Sequence, residues 1–203
     1  MFTGIVQGLA EVVALERKPQ FMQLRLRLPS GSTEQLQIGA SIAINGTCLT
    51  VTEFTENEVQ FDLIEETLRV TNLEQLKLHD KVNFERAARF GDEIGGHQLS
   101  GHVSHTATIT EIIKTEQNCV IWFQAPRNLL PYLLPKGFVA LNGCSLTIAE
   151  IKDDQFNVFL IPETLKMTTF GSSKTGDKIN LEVDPQTQAI VDTVNNYLKN
   201  RSI

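Results

Sequence analysis

Whatever structure this chain adopts has to be built twice. Asn45-Gly46-Thr47-Cys48-Leu49-Thr50-Val51 returns as Asn142-Gly143-Cys144-Ser145-Leu146-Thr147-Ile148. Leu63-Ile64-Glu65-Glu66-Thr67-Leu68 returns as Leu160-Ile161-Pro162-Glu163-Thr164-Leu165, and Asp80-Lys81-Val82-Asn83-Phe84-Glu85 as Asp177-Lys178-Ile179-Asn180-Leu181-Glu182. All three pairs are 97 residues apart, as are Gly4 and Gly101, Val6 and Val103, and Pro29 and Pro126. Chance matches drift in register, whereas a tandem duplication keeps one offset. The gapless repeat predicts two self-contained units, each long enough to bury a core, rather than one continuous sandwich.

Each copy has the pattern of short strands. Leu24, Leu26 and Leu28 alternate with Gln23, Arg25 and Arg27; Val59, Phe61 and Leu63 alternate in the next segment, and Ile179, Leu181 and Val183 in the second copy. Period two marks half-buried strands. Pro29-Ser30-Gly31, Asn45-Gly46, Asn57, Asn142-Gly143 and Asp153-Asp154 supply the turns. About six strands per copy predict an all-β chain of two tandem six-stranded antiparallel Greek-key barrels. Short helical pieces are expected at residues 32–36, 66–68 and 128–134.

Asp184-Pro185 then starts a C-terminal helix, with a capping carboxylate and proline in the first turn. Thr187, Val191, Val194 and Leu198 follow at 4-3-4 spacing. So short a helix is not stable alone. Its stripe packs on its own body or against the same helix of neighbouring subunits. The expected division is residues 1–97, 98–185 and 186–203.

Partners are bounded by what the chain lacks. No apolar run reaches the roughly 20 residues of a membrane span, and Met1–Val6 has no signal-peptide pattern. Cys48, Cys119 and Cys144 are an odd, sparse set, which predicts reduced thiols and a cytoplasmic protein. A net charge of −6 argues against general nucleic-acid binding.

Comparison of the copies sorts the polar residues. Asn45 and Asn142 are retained in hairpin signals and are read as turns. Thr50 with Thr147, and Thr67 with Thr164, fit a shared ligand contact or a structural need equally well. Cys48 faces Ser145 across the repeat, Ile5 faces His102, and Ala87 faces Asp184. Thiol, imidazole and carboxylate are the groups of acid–base and nucleophilic chemistry, although each also has a structural reading. His97, His102 and His105 lack the spacing of a metal knuckle, and Gly95-Gly96-His97 lacks the lysine of a phosphate loop.

Together these residues resemble the riboflavin synthase α-chain family over essentially the whole chain. The resemblance is carried by Met1–Val6 with Gly8, residues 39–51, Glu66-Thr67-Leu68-Arg69, residues 95–103, Gly143-Cys144-Ser145-Leu146-Thr147 and Ile161-Pro162-Glu163-Thr164-Leu165. It implies a homotrimer joined by C-terminal helices, each barrel binding one 6,7-dimethyl-8-ribityllumazine. Two lumazines dismutate to riboflavin and a ribitylaminopyrimidine without cofactor or metal, across a site between neighbouring subunits. By resemblance the first-barrel pocket comprises Gly4, Ile5, Val6, Ser41, Cys48, Leu49, Thr50, Asp62, Leu63, Ile64, Glu65, Glu66 and Thr67. The second comprises Gly101, His102, Val103, Lys136, Ser145, Leu146, Thr147, Phe159, Leu160, Ile161, Pro162, Glu163 and Thr164. Cys48, Ser41, His102 and Asp184 are the expected proton-transfer or nucleophile-activating residues. Many members carry histidine where this chain has Glu163, a change of small consequence if that position only supports its loop. The alternative is a non-catalytic lumazine- or flavin-binding antenna protein.

Overall fold

The period-two segments become strands at one offset in both copies. The computed structural model describes residues 1–116 and 118–200. Strands β1 (Gly8–Lys18), β2 (Phe21–Arg27), β3 (Ser41–Ile44), β4 (Thr47–Phe54), β5 (Glu58–Ile64) and β6 (Lys81–Arg86) close a barrel in the order β1-β2-β5-β4-β3-β6. Strands β7 (His105–Lys114), β8 (Cys119–Gln124), β9 (Phe138–Leu141), β10 (Cys144–Lys152), β11 (Gln155–Leu160) and β12 (Lys178–Val183) close a second barrel in the corresponding order. Bulges between Val12 and Ala14 and between Val51 and Glu53 recur between Ile109 and Glu111 and between Ile148 and Glu150. An extra residue bends a strand and strengthens its twist, which helps a sheet this narrow to close.

Each barrel is filled by one face of its alternating strands, Leu24, Leu26, Val59, Phe61 and Leu63 in the first and Ile121, Phe123, Phe156 and Val158 in the second. Helices α1 (Glu65–Val70) and α2 (Pro162–Met167) follow β5 and β11, and each runs into a single 3-10 turn. Thr71 and Thr168 cap those turns by accepting from the N–H groups of Leu73 and Phe170. Leu73 and Phe170 are thereby delivered into the two cores, Phe170 edge-on to Phe123.

Two of the expected helical pieces contract. Residues 32–36 form successive turns, because Gly31 and Gln35 adopt positive φ values of 81° and 55° that interrupt a right-handed helix. Residues 128–134 keep only a 3-10 turn at Leu130–Tyr132, where Pro131 offers no N–H to extend it. The piece expected at residues 66–68 lies within α1.

Asn45 and Gly46 have φ of 44° and 78°, and Asn142 and Gly143 have 46° and 79°, the positive pair of a two-residue type I′ hairpin. The two hairpin tips also meet each other. A Cβ added to Gly46 would lie 2.5 Å from the Gly143 nitrogen. Asn83 Nδ2 donates to the Asn142 carbonyl and Asn180 Nδ2 to the Asn45 carbonyl, both at 2.9 Å. Thus residues legible as turns also form the joint between barrels, lined on its apolar side by Phe2, Ala43, Leu99 and Ala140.

Helix α3 (Pro185–Lys199) begins where Asp184 accepts from the N–H groups of Gln186 and Thr187. Tyr132 donates its hydroxyl to Asp192 Oδ1 at 2.6 Å, tying the helix to the second barrel. Thr187 and Val191 are half-buried, while Val194, Leu198 and Ile190 are exposed. The first part of the expected stripe thus packs on the chain's own body, and the later part is exposed. Residues 201–203 of the expected tail lie outside the described residues.

Candidate active site

The residues ahead of β1 and β7 form two arms that exchange barrels. Phe2 N–H donates to the Leu99 carbonyl at 2.9 Å, and Leu99 N–H donates back at 3.0 Å. Beyond this bridge the Gly4 carbonyl accepts from Ser145 N–H of the second barrel, and the Gly101 carbonyl from Cys48 N–H of the first, both at 2.8 Å. Val6 is buried in the second-barrel core. Gly4 and Gly101 have φ of 74° and 79°, and added Cβ atoms would lie 2.5 Å and 2.6 Å from the Cβ atoms of Ser145 and Cys48. The arm that carries Gly4, Ile5 and Val6 thus packs on the second barrel at Ser145, and the arm that carries Gly101, His102 and Val103 on the first at Cys48, the opposite of the grouping that the resemblance implies. Repeat alignment pairs the arms in sequence but carries no information about which barrel each reaches.

Residues from four distant segments meet in a cleft of about 680 Å³ lined by Cys48, His102 and Asp184 together with His97 and Phe138. Cys48 is half-buried and His102 is exposed. The His102 N–H donates to Ser100 Oγ at 3.0 Å. Partial burial pushes the Asp184 carboxyl up, but the Thr187 hydroxyl and N–H, the Gln186 N–H and nearby His97 outweigh it and hold it below the ordinary carboxylate range. It is therefore an anion and a hydrogen-bond acceptor at neutral pH. Ser41 does not line this cleft. It lies half-buried at the start of β3, opposite Thr50 in register.

The other expected contacts occupy matching surfaces. On the first barrel, Thr50, Asp62, Ile64, Glu65 and Glu66 are exposed, Thr67 is half-buried, and Leu49 and Leu63 point into the core. On the second, Thr147, Phe159, Ile161, Pro162 and Glu163 are exposed, Ser145, Leu146 and Thr164 half-buried, and Leu160 faces the core. The carbonyls of Thr67 and Thr164 each accept a hydroxyl, from Thr71 and Thr168 respectively, at 2.6 Å. Ile64, Phe159 and Ile161 are each more than half exposed, apolar groups placed for an apolar partner. Lys136 is exposed and holds φ at 68°, where the first copy has Gly39 at 87°. A side chain in the left-handed region costs roughly 1 kcal/mol, so the second copy carries a lysine at some expense to its backbone.

A family model described as a lumazine binding domain matches the chain twice, at residues 3–87 and 100–184. Over 202 residues the chain is 52% identical to the riboflavin synthase of Escherichia coli (strain K12), covering 99% of this chain and 95% of that protein. The chain belongs to the riboflavin synthase family. The riboflavin synthase of Chlamydia pneumoniae is 42% identical over 198 residues, covering 98% and 97% of the two chains. The crystal structure of LumP complexed with 6,7-dimethyl-8-(1'-D-ribityl) lumazine matches with a TM-score of 0.83 at 26% identity, over 91% of this chain and 99% of that one. LumP complexed with riboflavin gives 0.84 at 28% identity, over 91% and 100%.

Within this riboflavin synthase frame one residue escaped the sequence reading as a site residue. His97 is 7% exposed, stacks on Phe138 at 4.9 Å, and places Nδ1 2.6 Å from Ser145 Oγ. Its Nε2 is buried without a hydrogen-bond partner. Repeat comparison could not find it, because its counterpart would precede Met1. The signal was Gly96, where a Cβ would lie 2.3 Å from the Thr3 carbonyl oxygen and 2.6 Å from Ser145 Cβ. Among the described residues no three His, Cys, Asp or Glu side chains are grouped as a metal site.

Burial pushes the His97 imidazole below its ordinary value, against a smaller upward pull from Asp184. Its neutral ring therefore supports the fold above the unfolded value of about 6.5, and that support is lost as pH falls through the depressed folded value. As pH falls below about 6.5, the urea midpoint, followed by fluorescence of the single tryptophan Trp122, is expected to lose ground in the unsubstituted protein relative to His97→Gln, both sharing the opposite slope of Glu85 and Glu182, whose carboxyls burial pushes up. Equal slopes in the two proteins would remove His97 as a source.

Proposed function

We propose that the chain catalyses the dismutation of 6,7-dimethyl-8-ribityllumazine. A four-carbon unit passes from one molecule to a second, giving riboflavin and 5-amino-6-(D-ribitylamino)uracil, the final step of riboflavin biosynthesis. The observation that carries this reading is the joining of Cys48, His102 and Asp184 in one cleft of a riboflavin synthase-family chain. A reaction between identical molecules needs two similar sites with unlike chemistry. The exchanged arms supply that difference: the arm that carries His102 packs on Cys48 of the first barrel, and the arm that carries Ile5 packs on Ser145 of the second.

In this reading orientation of the two heterocycles provides much of the rate. The electron-poor ring stabilises an anion at its own methyl group, so the protein's task is to move protons and activate one carbon. His102 is exposed and carries a transferable proton. Asp184 contributes a fixed negative charge, and Cys48 offers a thiol for activating a nucleophile. Ile64, Thr67 and Thr50 on one barrel, and Ile161, Thr164, Thr147 and Lys136 on the other, would hold the rings and ribityl chains. No metal or cofactor takes part.

The reading further places the reaction between the first barrel of one subunit and the second barrel of its neighbour in a cytoplasmic homotrimer. Exposed Ile190 and Val194 on α3 support that assembly. The working units are residues 1–97, 98–185 and the 186–203 tail. Deleting the chain after Asp184 is expected to release monomers in sedimentation; an intact trimer would refute the role given to the helix.

The test of activity is to mix purified protein with 6,7-dimethyl-8-ribityllumazine alone, in the presence of a chelator. One riboflavin per two lumazines consumed is the expected stoichiometry. Tight binding without turnover would favour an antenna role, a reading supported by the likeness to the LumP complexes.

A further inference from the structure

We propose that Glu85 and Glu182 are crossed positioning residues, each anchoring from its own barrel the arm that completes the other barrel's ligand face. The proposal rests on the assignment of Cys48 and His102 to the reactive face. Glu182, on β12 of the second barrel, is 4% exposed. Its Oε1 accepts from Ser100 N–H at 2.8 Å and from the Ser100 hydroxyl at 2.7 Å, and its Oε2 from Gly101 N–H at 3.1 Å. Ser100 Oγ accepts in turn from His102 N–H, and the Gly101 carbonyl accepts from Cys48 N–H. A continuous set of hydrogen bonds thus runs from a second-barrel carboxylate to the imidazole-bearing residue on the first.

Glu85 repeats the device in the opposite sense. It is 3% exposed on β6, accepting from Thr3 N–H at 2.6 Å, the Thr3 hydroxyl at 2.8 Å and Gly4 N–H at 3.1 Å. Thr3 Oγ1 accepts from Ile5 N–H at 3.3 Å, and the Gly4 carbonyl from Ser145 N–H. Burial pushes both carboxyls above the ordinary range even against three donors each, so the arrangement is costly and needs a reason. A glutamine would be cheaper to bury, but it presents one acceptor oxygen and an NH₂ group, so one of the donors would meet another donor. The carboxylates are suited to gripping both oxygens' worth of backbone at once, which fixes the direction in which each arm leaves.

Cys48 reports on the arm that Glu182 holds, because Gly101 packs against it, while Cys119 and Cys144 are buried. In Glu182→Gln, maleimide alkylation of Cys48 without ligand is expected to quicken several-fold. Riboflavin should no longer protect the thiol, and kcat should fall roughly ten- to hundred-fold. Glu85→Gln is expected to leave the Cys48 rate and its protection unchanged, and to raise KM through the second-barrel face. Ser100→Ala and Thr3→Ala, which keep both carboxylates, should repeat the contrast more weakly and decide the matter if a glutamine variant fails to fold. Equal Cys48 rates in the two glutamine variants, or in the two alanine variants, would overturn the crossed arrangement. If riboflavin fails to protect Cys48 in the unsubstituted protein, the site assignment fails, while the ligand-free rates still decide the arms.

Discussion

Replacing Gly101 with alanine is expected to lower turnover about a hundred-fold in a protein whose far-ultraviolet spectrum still reports two barrels. The added Cβ would lie 2.6 Å from Cys48 Cβ and 2.9 Å from Phe2 Cε2, at a φ of 79°. Neither neighbour can yield cheaply: Phe2 is buried in the seam between the barrels, and Cys48 is fixed on β4. The arm must move away, taking His102 with it. Gly39→Ala is the control, since Gly39 has φ of 87° but nothing within 4 Å of its Cβ position. That substitution adds conformational strain of roughly 1 kcal/mol and no clash. Steady-state riboflavin formation should therefore survive it; if the two variants lose turnover equally, contact with Cys48 is not what orients the arm.

The largest effect on stability is expected at the joint. Asn180 is 1% exposed and its side chain serves two backbone groups, accepting from Asn72 N–H at 2.6 Å and donating to the Asn45 carbonyl at 2.9 Å. Asn180→Ala removes the partner of a buried carbonyl and of a half-buried N–H. At about 1–3 kcal/mol for each such group the loss is about 2–6 kcal/mol. For a chain of this length that corresponds to a melting temperature lower by roughly 4–24 °C. Asn83→Ala removes the reciprocal contacts, to Thr169 N–H and the Asn142 carbonyl, and should cost a similar amount. The combined variant should fall short of the sum, because the two asparagines grip the same pair of hairpins. A change of only a degree or two by calorimetry would mean that the barrels hold together without this network.

Much of the architecture was legible before any coordinates because its signals are local or periodic. Alternating leucines give a strand with a buried face, Asn-Gly gives a tight hairpin, and Asp184-Pro185 gives a helix start. The constant offset then doubles the weight of each signal. Even the bulges recur at that offset, although no side-chain pattern announces them. What stayed out of reach depends on contacts between the copies. Asn45 and Asn142 read correctly as turns, but nothing in their own hairpins says that those turns meet. Gly4 and Gly101 read as repeat partners, yet close approach to Ser145 and Cys48 is a long-range fact. His97 failed for a further reason, since it lies in the connector between the aligned copies, where the repeat comparison has nothing to set against it. The gathering of Cys48, His102 and Asp184 was suggested by chemistry and by family resemblance, whereas Ser41, chosen on the same grounds, lies apart from their cleft.

The exchanged arms have a consequence for how such a chain could arise. Each half lays its arm on the other half's barrel and receives one in return, the arrangement of a domain-swapped dimer. Here the two protomers of that dimer are written end to end on one chain. The Phe2–Leu99 bridge and the paired asparagines are then isologous contacts, made once by each half with the other. A symmetric ancestor would have been bound to two equal sites, because any change in its sequence would appear in both. Fusion removes that constraint, and Cys48 can diverge from Ser145, and His102 from Ile5, while the swapped framework that holds them remains common property.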